Sequence, residues 1–439
     1  MTSAISEYKP VLKIPAFRRL WLAQLLSLTA QNGIHFVQLV LIERLTGQSL
    51  QIGLMIAAFS LPPVIFSFVA GTVIDRVPKK YIIIFSNLFR AILAISYIFT
   101  LHWLQDFPTA LLLIVYTITF LGSSMGSFYN PAVLAKLPLL VGEDRLVVSN
   151  SLFNITSALA QLVGLIIIAP AAVKLLGLTG AFTLMGAFYL VAFLLVIKLP
   201  RDRGHRHGEK MTSMSKMWRE VREGWVFVVT HRPIYLAVIQ LTLVASLLMI
   251  LAMIAPGFSA RVLGLAPEDA VYIFAPAGAG MLLAILFLGK VGNLIPVRWM
   301  QSAMLILTTL SFGMLALISF DYTASRIPNV QVSEHVSTTM LLVAITMLPL
   351  GFSLYIINTL AQTELQRRTP PALRGRVFTV QFMMASLVGL APLLIAATLA
   401  DLIGIPAMLF WLAIGCALVG GFSLYDAYQH QELADSGAQ

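Results

Sequence analysis

Apolar residues run in blocks of about 20, the length that carries a helix across a bilayer. The blocks predict twelve spanning helices near 19–42, 49–71, 81–101, 109–132, 148–170, 176–197, 234–258, 270–289, 301–320, 338–361, 377–400 and 404–425. Pro62–Pro63, Pro276, Pro349 and Pro392 fall inside these blocks. Spanning helices tolerate such breakers because neighbouring helices satisfy the freed backbone groups. One shorter stretch differs: Met211, Met214, Trp218, Val221, Trp225 and Val228 recur at three- and four-residue spacing with Lys216, Arg219 and Arg222 between them. That pattern predicts an amphipathic helix, lying on the inner leaflet or docking a partner. The chain therefore divides into a six-helix bundle over 1–197, a linker over 198–233, and a second six-helix bundle with a short tail over 234–439. The expected class is an all-α membrane protein.

Composition agrees. Of 439 residues 59% are hydrophobic and 11% charged, where soluble domains average about 45–50% and about 25%. The net charge of +10 suggests nucleic acid until the basic residues are placed. They sit in short loops rather than on one soluble face, so no nucleic-acid partner is expected. With the N-terminus inside, 24 Lys and Arg fall in inner segments, four (Arg44, Lys174, Arg261, Arg326) in outer loops, and Arg90 within a span. Basic residues concentrate on the cytoplasmic side, so both termini are expected there, in a cell membrane of bacterial inner-membrane type. No P-loop, zinc motif, nucleophile elbow or paired catalytic carboxylate occurs, so neither a metal, a cofactor nor an enzymatic reaction is expected. A channel is disfavoured because no charged ring or filter-like loop is visible.

The loop after the second span reads G-T-V-I-D-R-V-P-K-K (71–80), and that after the eighth reads G-K-V-G-N-L-I-P-V-R (289–298). At one offset of 218, Gly71 matches Gly289, Asp75 matches Asn293, Pro78 matches Pro296 and Lys80 matches Arg298. Equivalent loops in the two halves indicate a duplicated six-helix unit. The first copy resembles the G-x-x-x-D-R signature of the major facilitator superfamily. T-G-Q-S-L-Q-I-G-L (46–54), Y-N-P-A (129–132), R-E-G-W (222–225) and R-R-T-P-P-A-L-R-G-R-V (367–377) look like the branch containing the enterobactin exporter and macrolide-efflux proteins. A fainter likeness to the lysophospholipid transporter lies around Gln24-Leu25-Leu26-Ser27 and Gln31-Asn32.

The resemblance implies two pseudo-symmetric six-helix bundles and a secondary transporter alternating access between them. Gly71 allows a tight turn or close helix approach. Asp75 can accept hydrogen bonds at the N–H end of another helix, where the dipole favours an anion. The resemblance makes that partner the start of the eleventh helix, a cytoplasmic latch in which Arg374 and Arg376 are ionic candidates. Arg76, Lys79 and Lys80 serve either the latch or the topology.

The resemblance also implies that helices 1, 4, 7 and 10 line a central cavity. In the first span Gln24, Gln31, His35 and Gln38 share one helical face with Asn32 beside it. Ser127 and Asn130 in the fourth span, with Tyr355 and Asn358 in the tenth, also repeat at helical spacing. Such residues either line the pathway or bond helices together. His35 is a candidate for proton coupling, since an unperturbed imidazole titrates near neutrality; the alternative is packing. Arg90 reads as a structural charge needing carbonyl or polar neighbours. The function expected is a monomeric exporter of an amphipathic small molecule, uncharged or lipid-like, or a lipid or lysophospholipid flippase of the same fold.

Overall fold

A computed structural model describes residues 10–104, 106–202, 214–291, 295–324, 332–371 and 373–436. Helices account for all regular structure among them. In the first half α1 is Pro15–Thr46, α2 Ser49–Arg76, α3 Lys79–Trp103 and α4 Pro108–Lys136. α5, Leu146–Leu162, passes through a π-helical segment, Val163–Ile168, into α6, Ala169–Ile197. Then follow the linker helix α7 (Met214–Thr230), α8 (Arg232–Gly257), α9 (Val271–Val291), α10 (Val297–Ala324) and α11 (Val332–Arg368). The last three are α12 (Arg374–Met383), joined through a π-helical segment Met384–Val388 to α13 (Leu390–Ile403), and α14 (Ile405–Ser436).

Among the described residues eleven helical runs are long and apolar enough to cross a membrane, one of them the 55 residues Glu143–Ile197. Held straight, 55 residues would extend about 80 Å, far beyond a hydrocarbon core of about 30 Å. The run folds back at Gly177, whose φ of 69° and ψ of −179° interrupt the helix. A positive φ is costly for any residue with a Cβ. The run is thus two spans, and the twelve expected from the sequence are recovered.

The chain forms two compact units, one of residues 1–46 and 54–212, the other of 47–53 and 213–439. In the first, α6 packs against α1 and α3, and α3 against α4. Phe17, Leu20, Ile83, Tyr129, Ala132 and Val196 belong to one of its apolar clusters. In the second, α9 packs on α11, and α10 on α11 and α14. Buried hydroxyl pairs tie helices there: Thr308 to Ser353 and Ser302 to Ser423, both at 2.8 Å. Large apolar side chains such as Phe85, Phe99, Leu310 and Trp411 point outward, as a lipid-facing surface requires.

The α9–α11 contact is made backbone to backbone. A Cβ added at Gly280 would lie 2.0 Å from the Leu348 carbonyl oxygen, and one at Gly351 would lie 2.0 Å from that of Ala277. Small residues permit such approach where no hydrophobic force drives association within lipid.

The linker helix is not a free amphipathic element. Val221 and Phe227 pack on, and Val228 is buried in, a cluster with Ile234, Leu241, Leu365 and Val377 of the second unit. Gly224 fits against the Arg376 carbonyl, where a Cβ would come within 2.8 Å, and Glu223 pairs with Arg376 at 2.6 Å. Trp218 and Trp225 remain exposed along the adjoining edge of the helix. The apolar stripe expected from the sequence is therefore covered along its Val221–Val228 edge and open along its Trp218–Trp225 edge. Met211 lies outside the described residues, and the side chains of Met214 and Lys216 are likewise outside them.

Two carboxylates cap helix starts. Asp202 accepts the backbone N–H groups of Lys79 (2.8 Å) and Lys80 (3.3 Å) at the beginning of α3. Its Oδ1 also meets Lys136 Nζ at 2.9 Å, in a pair whose side chains are 4% and 2% exposed. Lys136 donates again to the Pro200 carbonyl. In the second unit Asp401 accepts from the Ser49 and Leu50 amides at 2.7 and 2.8 Å, and Arg261 bonds both Asp401 and the Ser49 hydroxyl. Each carboxylate satisfies orphan N–H groups at the positive end of a helix dipole.

Candidate functional site

The first unit holds a half-open cavity of about 40 Å³. Four helices build it, each by one face. α1 contributes Gln31, Ile34, His35 and Gln38; α3 contributes Arg90, Leu93, Ala94 and Tyr97; α4 contributes Ile118, Thr119, Gly122 and Ser123; α6 contributes Tyr189. The spacings of three, four and seven residues put each set on one side of its helix.

Its polar groups are fixed by short contacts. Gln38 is buried and donates from Nε2 to the Tyr97 hydroxyl (2.7 Å) and to Thr119 Oγ1 (2.9 Å). Tyr97 is in turn stacked on Phe182, with ring centroids 3.9 Å apart. His35 stacks on Phe59 of α2 at 4.4 Å, and Ser123 donates to the Phe59 carbonyl. The Arg90 side chain is 3% exposed, donates from Nε to the Gly122 carbonyl (3.2 Å), and lies against the rings of Tyr129 and Tyr189. Among the described residues no aspartate or glutamate lines the cavity.

Of the residues singled out from sequence, Gln31, His35 and Gln38 meet in this cavity. Asn32 bonds back to the Leu28 carbonyl, and its Cβ faces Gly164 in the π-helical segment. Gln24 is buried but does not line the cavity. In α4, Ser127 bonds to the Ser123 carbonyl, and Asn130 is exposed. Tyr355 packs on a cluster of the second unit that includes Ile356 and Met300, and Asn358 is half-buried. Arg90, read from sequence as a structural charge, shares the cavity with the α1 glutamines. The absence of an acid at comparable depth in the spans was the signal available: a buried cation with no carboxylate near it needs another reason to be there.

Around the loop signature the structure adds what sequence reading missed. Gly71 is helical, with open space where a Cβ would sit, so among the described residues neither a tight turn nor a close helix approach uses it. Asp75 stands in the last turn of α2, and its side chain is outside the described residues. Arg76 is exposed, whereas Lys79 is buried. Arg374 donates to the Thr369 carbonyl, and Arg376 holds Glu223. Asp202 performs at α3 the helix-capping chemistry assigned from sequence to Asp75.

Comparison with known proteins places this geometry. The sequence profile of the Major Facilitator Superfamily matches residues 20–393. Macrolide efflux protein A of Streptococcus pyogenes is 22% identical over 89% of this chain and 90% of its own length. The enterobactin exporter EntS of Shigella boydii is 26% identical over 44% of this chain and 46% of its own. Among solved structures, the nucleoside transporter NupG superposes with a TM-score of 0.71 at 11% identity, covering 93% of this chain and 98% of that one. A POT family transporter superposes with a TM-score of 0.65 over 94% of this chain and 96% of that one.

Proposed function

Because the chain belongs to the Major Facilitator Superfamily, we propose that it is a secondary transporter exporting an amphipathic small molecule by alternating access. The observation that carries the reading is the mixed lining of the first-unit cavity: Gln31, His35, Gln38 and Arg90 among Ile34, Leu93, Ala94 and Ile118. Such a lining suits a molecule with one polar end and an apolar body. The names of the relatives, a macrolide efflux protein and an enterobactin exporter, support export.

Reconstituted vesicles test this. Uptake of a radiolabelled macrolide or siderophore that saturates and shows counterflow supports a carrier; flux that rises linearly with concentration overturns it. In the same vesicles His35→Gln will keep substrate binding and lose any response to an imposed pH gradient if His35 exchanges the coupling proton, since glutamine retains hydrogen bonding but does not titrate near neutrality. A gradient response that survives refutes coupling through His35. Asp75→Asn will slow turnover without loss of protein, by removing an anion–dipole contact of typically about 0.3–1 kcal/mol and shifting the inward–outward balance severalfold. Lost insertion with normal turnover per molecule would assign Asp75 to folding instead.

The termini are proposed to lie on the cytoplasmic side of a bacterial inner membrane, with the exposed Trp218 and Trp225 of α7 against the inner leaflet. A cysteine at Ser436 will then be shielded from an impermeant thiol reagent in intact cells, and one at Ser333 will label. Labelling of position 436 from outside reverses the orientation.

A further inference from the structure

The protein satisfies Arg90 only in part. Its Nε reaches the Gly122 carbonyl, but both terminal nitrogens, Nη1 and Nη2, are buried without a partner. Tyr189 leans on the guanidinium, yet its hydroxyl leaves both of those nitrogens without a bond of proper geometry. Tyr129 and Tyr189 hold the guanidinium with their π-systems, at 5.2 and 5.6 Å from the ring centroids. That contact orients the cation and leaves its donor edge open. Gly126 makes the room: a Cβ there would stand 2.6 Å from Nη2. Two acceptors beside it are equally unused, since Gln31 Oε1 and Gln38 Oε1 are buried without partners.

A buried guanidinium is costly when unpaired, and this cavity holds no carboxylate of the protein to pair it. We propose that the Arg90 cavity receives an anionic group of the transported molecule, a carboxylate or its chemical equivalent. The Nη1–Nη2 fork would take the two oxygens in parallel. A hydroxyl or N–H of the same molecule would donate to Gln31 and Gln38. The cavity volume of about 40 Å³ has room for such a head group but not for a whole amphipathic substrate, so the apolar remainder would extend beyond it. This inference rests on reading the cavity as part of the transport pathway. It replaces the uncharged or lipid-like molecule expected from sequence with one that has an anionic end.

The test uses the purified full-length protein in nanodiscs, with benzoate and octanoate as probes and benzamide and octanamide as their neutral twins. The carboxylates should bind about tenfold tighter than the amides, as a charge-assisted bidentate pair requires, and raise the unfolding temperature accordingly. Arg90→Met should bring each pair of twins within about twofold of one another, and without ligand it should unfold at or above the wild-type temperature, because an unpaired buried charge has been replaced by an apolar chain of similar length. Equal binding of the twins, or binding of neither, means that the cavity holds water only and overturns the proposal. So does an Arg90→Met protein that unfolds well below wild type while Arg90→Lys does not, since Arg90 would then be structural. Charge-selective binding without saturable flux would sink the exporter reading and leave this site standing; saturable flux without charge selectivity would do the opposite.

Discussion

Lys136→Met will destabilise the protein by about 3–5 kcal/mol, the range observed when one partner of a buried ion pair is removed. The substitution strands Asp202 with only the Lys79 and Lys80 amides. It also removes the second bond of Lys136, to the Pro200 carbonyl. Three segments meet at this pair: the end of α4, the start of α3 and the chain leaving α6. Thermal unfolding in detergent reads the loss. Adding Asp202→Asn to Lys136→Met should cost less than the two single changes together, because each alone leaves the other group buried. An Lys136→Met protein that unfolds at the wild-type temperature would show that the pair holds nothing. Acid offers a second reading. Burial raises the Asp202 carboxyl, but the Lys136 hydrogen bond, the Lys79 amide and the Lys136 charge outweigh it and hold the group below its ordinary value. A lowered carboxyl value stabilises the folded state fully above the unfolded value of about 4. The advantage of wild type over Asp202→Asn should therefore be constant near neutrality and vanish as pH falls through the lowered value.

Gly351→Ala and Gly280→Ala should each cost about 1–3 kcal/mol or more, the range for overpacking a filled interior. In both cases the atom met first is a backbone carbonyl oxygen, of Ala277 or Leu348, at 2.0 Å. No rotamer change relieves such a clash, so α9 and α11 have to part. Once they have parted, the second methyl finds space, and the double variant should cost clearly less than the sum. Gly415→Ala is the control: it has nothing within 4 Å of the added Cβ, and alanine is the better helix former by up to about 1 kcal/mol. If all three variants unfold alike, the α9–α11 contact is not close in solution.

The spans were legible because lipid leaves a chain few choices: backbone groups must be paired within helices, and the apolar blocks record it. Gly177 was harder, since the helix continues past Pro170 and turns only there. One wall of the cavity could be read from α1, where Gln31, His35 and Gln38 interrupt an apolar run at helical spacing. The other walls, Leu93, Ala94, Ile118, Gly122 and Tyr189, look like any membrane core. Only packing tells which face of an apolar helix borders a space. Asp202 and Lys136 escaped for a different reason. They are 66 residues apart, and each reads locally as a loop charge, so nothing in the spacing reveals that they meet in a buried pair.

The π-helical segments Val163–Ile168 and Met384–Val388 carry one consequence for anyone engineering this chain. A π-bulge accommodates a surplus residue within an otherwise α-helical run, and one residue corresponds to about 100° of rotation. Side chains on either side of a bulge are therefore out of phase with a helical wheel drawn through it. The polar set Asn150, Asn154, Ser157 and Gln161 ends just before the first segment, and its face cannot be extended past Ile168 by counting in sevens. Deleting a residue from either segment would leave the span almost as long as before. The bulge would close into regular α-helix and the side chains beyond it would keep their faces, whereas the same deletion outside the bulge would turn them about a quarter of the way round the helix axis.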